Sequence, residues 1–191
     1  MMKKVFLITL VTIFAGTFLT EGQTTGSLAE KKLAGLFARL ATITDDSSRL
    51  AVNDSVTAII DSYASSDSVM SHTFQRLKYL GQITDRNSQL KIITWNLILN
   101  DSKSRYYCYF INRSGKEQKV RKLAGVYREE PVRTDIVYNE NDWYGALYYD
   151  IKAVKKDRKT YWILLGIDYG NPLVTRKLID VLDFTPEGSV Q

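Results

Sequence analysis

The sequence predicts an α+β fold in which an N-terminal helical hairpin precedes an antiparallel β-meander. Two apolar stripes at helical spacing occupy the chain before residue 66. From Phe74 onward the apolar period changes from about 3.6 to 2. Turn residues then recur at short intervals with no helical stretch between the strands, which excludes parallel βαβ crossovers.

The elements follow in order. Ser27 and Glu30 have the spacing of a capping box, and Leu33, Leu36, Phe37 and Leu40 fall on one face of the helix that would follow. Thr44-Asp45-Asp46 carries stop and restart signals. Val52, Val56, Ile59, Ile60 and Tyr63 form the stripe of a second helix, and Ser65-Ser66-Asp67-Ser68 is a polar connector. Short strands are expected at Leu77–Leu80, Leu90–Leu99, Arg105–Ile111 and Lys119–Tyr127. On the second of these, Ile93, Trp95, Leu97 and Leu99 share a face. Leu147–Ala153 and Tyr161–Ile167 flank the wholly charged loop Lys155–Lys159, the clearest hairpin in the chain. The return strand is apolar on both faces and predicts cover from two sides. Arg176–Phe184 completes the set, giving six to eight strands. Thr185-Pro186-Glu187-Gly188 resembles the start of another turn, so this last strand is expected to leave an apolar, incomplete edge.

The organisation is therefore a leader over 1–22, a helical hairpin over 23–66 and a β-rich region of the same domain over 67–191. Lys3 and Lys4 precede an uncharged apolar run from Val5 to Leu19, followed by Thr20-Glu21-Gly22. Length, charge and small residues match a secretory signal peptide cut before Gln23, and the run is short of the ~20 residues of a membrane span. This predicts export to the periplasm or beyond the cell, with no stable membrane span once the leader is removed. No cysteine lies near the cut to take a lipid. Cys108 is the only cysteine, so no intramolecular disulfide forms, and its apolar surroundings predict a buried side chain.

Composition narrows the chemistry. One histidine, His72, and one cysteine leave no ligand set for zinc, no Ser-His-Asp or Cys-His device and no metal or other cofactor. No glycine-rich strand-to-helix turn cradles a phosphate. The formal charge of +5 falls by one with the leader, and nucleic acid is not an expected partner. Paired carboxylates are the remaining enzymatic route: Asp150 and Asp168 could meet across the Leu147–Ile167 hairpin and act as a hydrolase on envelope or dietary glycans. Asp180 and Asp183 are expected on opposite faces of one strand, which bars them from acting together. Twelve tyrosines and three tryptophans point instead to binding. The pairs Tyr106/Tyr107, Tyr148/Tyr149 and Tyr161/Trp162 put rings on both strand faces. Tyr106, Tyr148 and Trp162 are the candidates for an aromatic sheet face that stacks on a glycan or peptide, or meets another envelope protein.

Between Phe74 and Phe184, the phrases Leu90-Lys91-Ile92-Ile93-Thr94-Trp95-Asn96, Trp143 to Ile151, Thr160 to Asp168 and Arg176 to Leu182 carry a resemblance. They are similar to a set of uncharacterised secreted proteins of Bacteroidetes. The resemblance implies an exported protein and a β-rich fold, brings no activity or functional residues with it, and implies a shortened member, because those proteins run on into further strands. Asp54-Ser55-Val56 and Asp67-Ser68-Val69 look like the sites on which exported proteins of that group are O-glycosylated, which makes Ser68 and Ser55 modification candidates. The sequence thus points to a non-catalytic binding or interaction module.

Overall fold

The computed structural model describes residues 21–191, and the leader expected over 1–22 lies almost wholly outside them. Helix α1 (Glu21–Leu40) and helix α2 (Asp46–Ala64) form the hairpin. Seven antiparallel strands follow: β1 (Gly81–Thr84), β2 (Leu90–Ile98), β3 (Ser104–Ser114), β4 (Glu117–Val126), β5 (Leu147–Lys156), β6 (Lys159–Asn171) and β7 (Val174–Leu182). They divide into a four-stranded sheet, β1-β2-β3-β4, and a three-stranded sheet, β5-β6-β7. The break falls at the long connection Tyr127–Ala146. Among the described residues no helix is long and apolar enough to cross a membrane.

The three layers are the helices, the first sheet and the second sheet, with one apolar core in each gap. Leu33, Phe37, Val56 and Ile60 of the helices pack on Ile93, Trp95, Tyr109 and Ile111. On the opposite face of the same strands, Leu90, Ile92, Tyr106, Cys108 and Phe110 pack on Tyr148, Trp162, Leu164 and Leu182. β2 and β3 are thus covered on both faces, which is why their sequences are nearly continuous in large apolar residues. Trp95 anchors the helical gap: it stacks on Tyr107 at 5.1 Å between ring centroids and donates its indole N–H to Asn53 Oδ1 at 2.9 Å. Asp45 caps α2 by accepting the amide of Ser48 at 2.8 Å.

Several expectations are corrected. Ser27 caps nothing, because α1 is already helical at Glu21. Glu30 instead accepts the amide of Arg76 at 2.6 Å, tying α1 to the connector. Leu77–Leu80 is turn rather than strand: Leu77 and Leu80 both bury against the helices, which a period-two strand would not permit. Two-sided cover belongs to β2 and β3 and not to β6, whose burial alternates: Trp162, Leu164 and Asp168 face in, while Ile163, Leu165 and Ile167 are half-buried. The charged loop closes as a two-residue turn with Asp157 and Arg158 both at positive φ, the turn whose twist matches a tight hairpin. Beyond β7 the chain folds back: Asp183 and Gln191 exchange backbone hydrogen bonds, and Phe184 bridges Val190. Asp183 therefore lies past the strand, paired with Lys159, instead of opposite Asp180 within it.

Candidate binding cleft

The β4–β5 connection, Tyr127–Ala146, has no regular structure, and a connection of that length inside a small domain usually carries function. Its first turn is tied down by Arg176 on β7. That guanidinium donates to the carbonyls of Arg128 at 2.8 Å and Glu129 at 2.7 Å, and lies 4.9 Å from the centre of the Tyr127 ring. Arg176 is held in turn by Asp168 Oδ2 at 3.6 Å. The other oxygen of Asp168 accepts the Tyr106 hydroxyl at 2.6 Å and the Gly170 amide at 2.7 Å. Gly170 sits at φ +55° where β6 bulges, and a Cβ there would lie 2.7 Å from the Val174 carbonyl. Only glycine makes that bend without strain, and the bend delivers its amide to Asp168.

The far end of the connection is fixed by a second carboxylate. Asp180, on the inner face of β7, accepts the hydroxyls of Tyr144 and of Tyr148, the latter at 2.7 Å. Tyr148 belongs to β5, two strands away, and its ring passes over Gly166 of β6 to reach Asp180. A Cβ on Gly166 would meet that ring at 3.1 Å. Trp143 donates its indole N–H to the Tyr148 oxygen at 3.2 Å, so the chain Trp143–Tyr148–Asp180–Tyr144 is continuous. Burial first, and then the Asp180 charge, raises the pKa of both phenols, so they stay protonated and donate.

Between these ties, from Pro131 to Val137, the hydrogen bonds are local. Arg133 pairs with Asp135, and its amide donates to the Tyr138 hydroxyl at 3.0 Å. This segment stands off from β7 and leaves a cleft of about 640 Å³. Val132, Ile136 and Tyr138 form one wall, Leu178, Ile179 and Val181 the other, and Tyr144, Tyr148 and Asp180 line its polar part. A smaller cavity of about 240 Å³ adjoins it around Arg128, Glu130 and Arg176. The size matches a small-ligand or peptide site, with an apolar lining and few polar groups. Lys177 is the one cation of its lining without an ion pair among the described residues, since Arg133 is paired with Asp135 and Arg176 with Asp168.

The residues singled out from sequence are distributed differently. Tyr106, Tyr148 and Trp162 are 0%, 4% and 6% exposed, all inside the gap between the sheets. They form no exposed aromatic face, although Tyr148 lines the cleft. The outward rings are their neighbours: Tyr149 is 52% exposed on β5 and Tyr161 half-buried on β6, whereas Tyr107 is covered by the helices. One residue along a strand turns the side chain over, and Tyr106, Tyr148 and Trp162 are the members of their pairs that face the gap between the sheets. Asp150 and Asp168 are not brought together. Asp150 pairs with Leu165 on the outer face and is exposed, while Asp168 is buried on the inner face with its oxygens engaged. The two inward carboxylates, Asp168 and Asp180, are no substitute. Asp180 lies opposite Leu164, four residues along the ladder from Asp168, about 13 Å at the backbone, and both carboxylates are already engaged by tyrosine hydroxyls.

Ser55 is exposed on α2, its hydroxyl donating to the Ala51 carbonyl at 3.2 Å; Ser68 is half-buried in the connector, beside the Ser66 hydroxyl. Cys108 is buried, with its thiol pushed up by burial. Among the described residues no three His, Cys, Asp or Glu side chains converge to hold a metal ion. Sequence reasoning named Asp180 only to set it aside, and missed Tyr144, Arg176 and Arg133. The one sequence signal for them was the long stretch after Tyr127 that fits neither helix nor strand. No family model, no curated protein and no solved structure matches the chain.

Proposed function

We propose that this is an exported, non-catalytic binding module whose ligand, a glycan or a peptide, sits in the cleft between the β4–β5 connection and β7. The carrying observation is the cleft of about 640 Å³ with a preformed polar network, Tyr144 and Tyr148 fixed on Asp180, in a mostly apolar lining. A preformed site loses little freedom on binding, and the Tyr144 oxygen, which donates to Asp180, still accepts from a ligand. The reading moves the binding surface from an aromatic sheet face into the cleft. It carries with it export through the N-terminal leader, as the sequence pattern of residues 1–22 suggests.

The test is binding of the chain from Gln23 onward to glycan and peptide arrays, repeated with Tyr144→Phe and with Tyr149→Ala. Loss of binding in Tyr144→Phe with retention in Tyr149→Ala supports the cleft. The reverse pattern would place the ligand on the outer sheet face and refute it.

A further inference from the structure

The cleft runs along an open strand edge. Seven consecutive residues of β7, Arg176 to Leu182, line it, so both the inward side chains of Leu178 and Asp180 and the outward ones of Ile179 and Val181 border the same space. A cavity on one face of a sheet would touch alternate residues only. β7 is the last strand of its sheet, and among the described residues no backbone group of Val174–Leu182 pairs with the β4–β5 connection. The strand carries no proline, and its outward side chains Ile179 and Val181 are 74% and 63% exposed. An edge of this kind is a template for one more strand unless something blunts it.

We propose that the cleft binds an extended peptide as an eighth strand on β7, a proposal that rests on the cleft being the binding site. The length fits: seven residues at a strand's rise make about 20 Å of edge, room for a peptide of about six residues. The edge presents backbone donors and acceptors at a two-residue repeat, which another extended backbone satisfies in full and a sugar chain does not. Side-chain chemistry follows from the face each residue shares with its cross-strand neighbour. Opposite Ile179 and Val181 the peptide carries β-branched apolar residues, which extend the outer surface of the sheet. Opposite Lys177, which lines the cleft and makes no ion pair among the described residues, it carries a carboxylate. The partner is thus an apolar, β-branched segment with one acidic residue, supplied by an unfolded terminus or loop of another protein.

The experiment uses the chain from Gln23 onward and an array of hexapeptides of Val, Ile and Thr with a single Glu moved through each position, alongside a glycan array. Amide hydrogen exchange across β7 is then read for the strongest binder. Strand addition slows exchange by at least about tenfold at alternate β7 amides, those pointing away from β6. It also makes binding sensitive to N-methylation of the peptide at alternate positions. Lys177→Glu, an exposed change, then shifts the preference from Glu-bearing to Lys-bearing peptides. Three results would overturn strand addition. One is a peptide that binds without protecting β7. Another is a glycan whose binding needs Tyr144 but leaves β7 exchange unchanged, which keeps the cleft and removes the strand. The third is protection of the outward β7 amides in the free protein that grows with concentration, which assigns the edge to a second copy. Absence of any binder sensitive to Tyr144→Phe defeats the cleft reading itself.

Discussion

Lys91 offers a sharp test of how the connector before β1 is held. It lies on β2 among Ile93 and Trp95 on the helix-facing side and is 0% exposed. Its ammonium donates to the His72 carbonyl at 2.5 Å and to the Thr73 hydroxyl at 3.2 Å, and sits 5.9 Å from the centre of the Tyr63 ring. No carboxylate pairs with it among the described residues. Burial therefore lowers its pKa to about 8 from 10.5. Below pH 8 both folded and unfolded chains hold the proton, and the folded state bears the whole cost of the buried charge. Between pH 8 and 10.5 the folded lysine releases its proton while the unfolded one keeps it, so unfolding takes up a proton and stability rises with pH. At ~1.36 kcal/mol per pH unit the full rise is about 3 kcal/mol. Buried tyrosines such as Tyr63 act oppositely: their raised pKa makes stability fall once unfolded phenols ionise above about pH 10. The difference between wild type and Lys91→Met isolates the lysine. Removing the charge recovers about 3 kcal/mol at pH 7 but forfeits about 1.5–3 kcal/mol for each of two charge-assisted hydrogen bonds, so the variant gains nothing at pH 7. Urea unfolding at pH 7, 8.5 and 9.5 reads both quantities. Wild type should gain about 2 kcal/mol on the variant between pH 7 and pH 9.5. A constant difference across the three pH values would refute a buried, charge-bearing Lys91.

Other consequences follow from the same network. Asp180→Ala strips both tyrosine hydroxyls of their acceptor and should cost about 2–4 kcal/mol in urea unfolding, with Tyr144→Phe costing about 1 kcal/mol. Gly170→Ala forces an alanine to φ +55° against the Val174 carbonyl; a loss of about 1–3 kcal/mol is expected, together with faster tryptic cutting after Arg128 and Arg133. Arg176→Met frees the first turn of the connection, so those same cuts should accelerate while the outer hairpin β5–β6 keeps its exchange protection. Asn53→Ala leaves the Trp95 indole N–H buried and unpaired and should cost about 1–3 kcal/mol, read by thermal unfolding.

Much of the architecture was legible because local pattern and tertiary placement agree. The stripe of α2, the turns between β2, β3 and β4, and the β5–β6 hairpin all keep the period and turn chemistry that the sequence displays. Two of the misreadings share one cause, which is that burial depends on the number of layers. Leu164 and Leu165 are equally apolar, yet only Leu164 meets the first sheet, because among the described residues no layer covers the outer face of β6. The same ambiguity turned the choice between Tyr148 and Tyr149 the wrong way. Leu77 and Leu80 imitate a strand because the turn that buries both has no period of its own.

The cleft was hidden for a different reason. Asp180 is one of several acidic residues on the C-terminal strands, and nothing in its neighbours sets it apart from Asp150 or Asp183. Its role depends on a tyrosine two strands away crossing over Gly166, and on a second tyrosine delivered by an irregular connection. Contacts of that kind are created by sheet order and register. The fold class follows from period and turns, while the site follows from which strands become neighbours.

The most direct test of the cleft as the binding site is a hydrogen-exchange footprint of the strongest array ligand over the whole described chain. Binding in the cleft predicts slower exchange in the β4–β5 connection and along β7, with the helical hairpin and the β5–β6 turn at Asp157 and Arg158 unchanged. A footprint on the outer face around Tyr149 and Tyr161, with the connection unaffected, would contradict it.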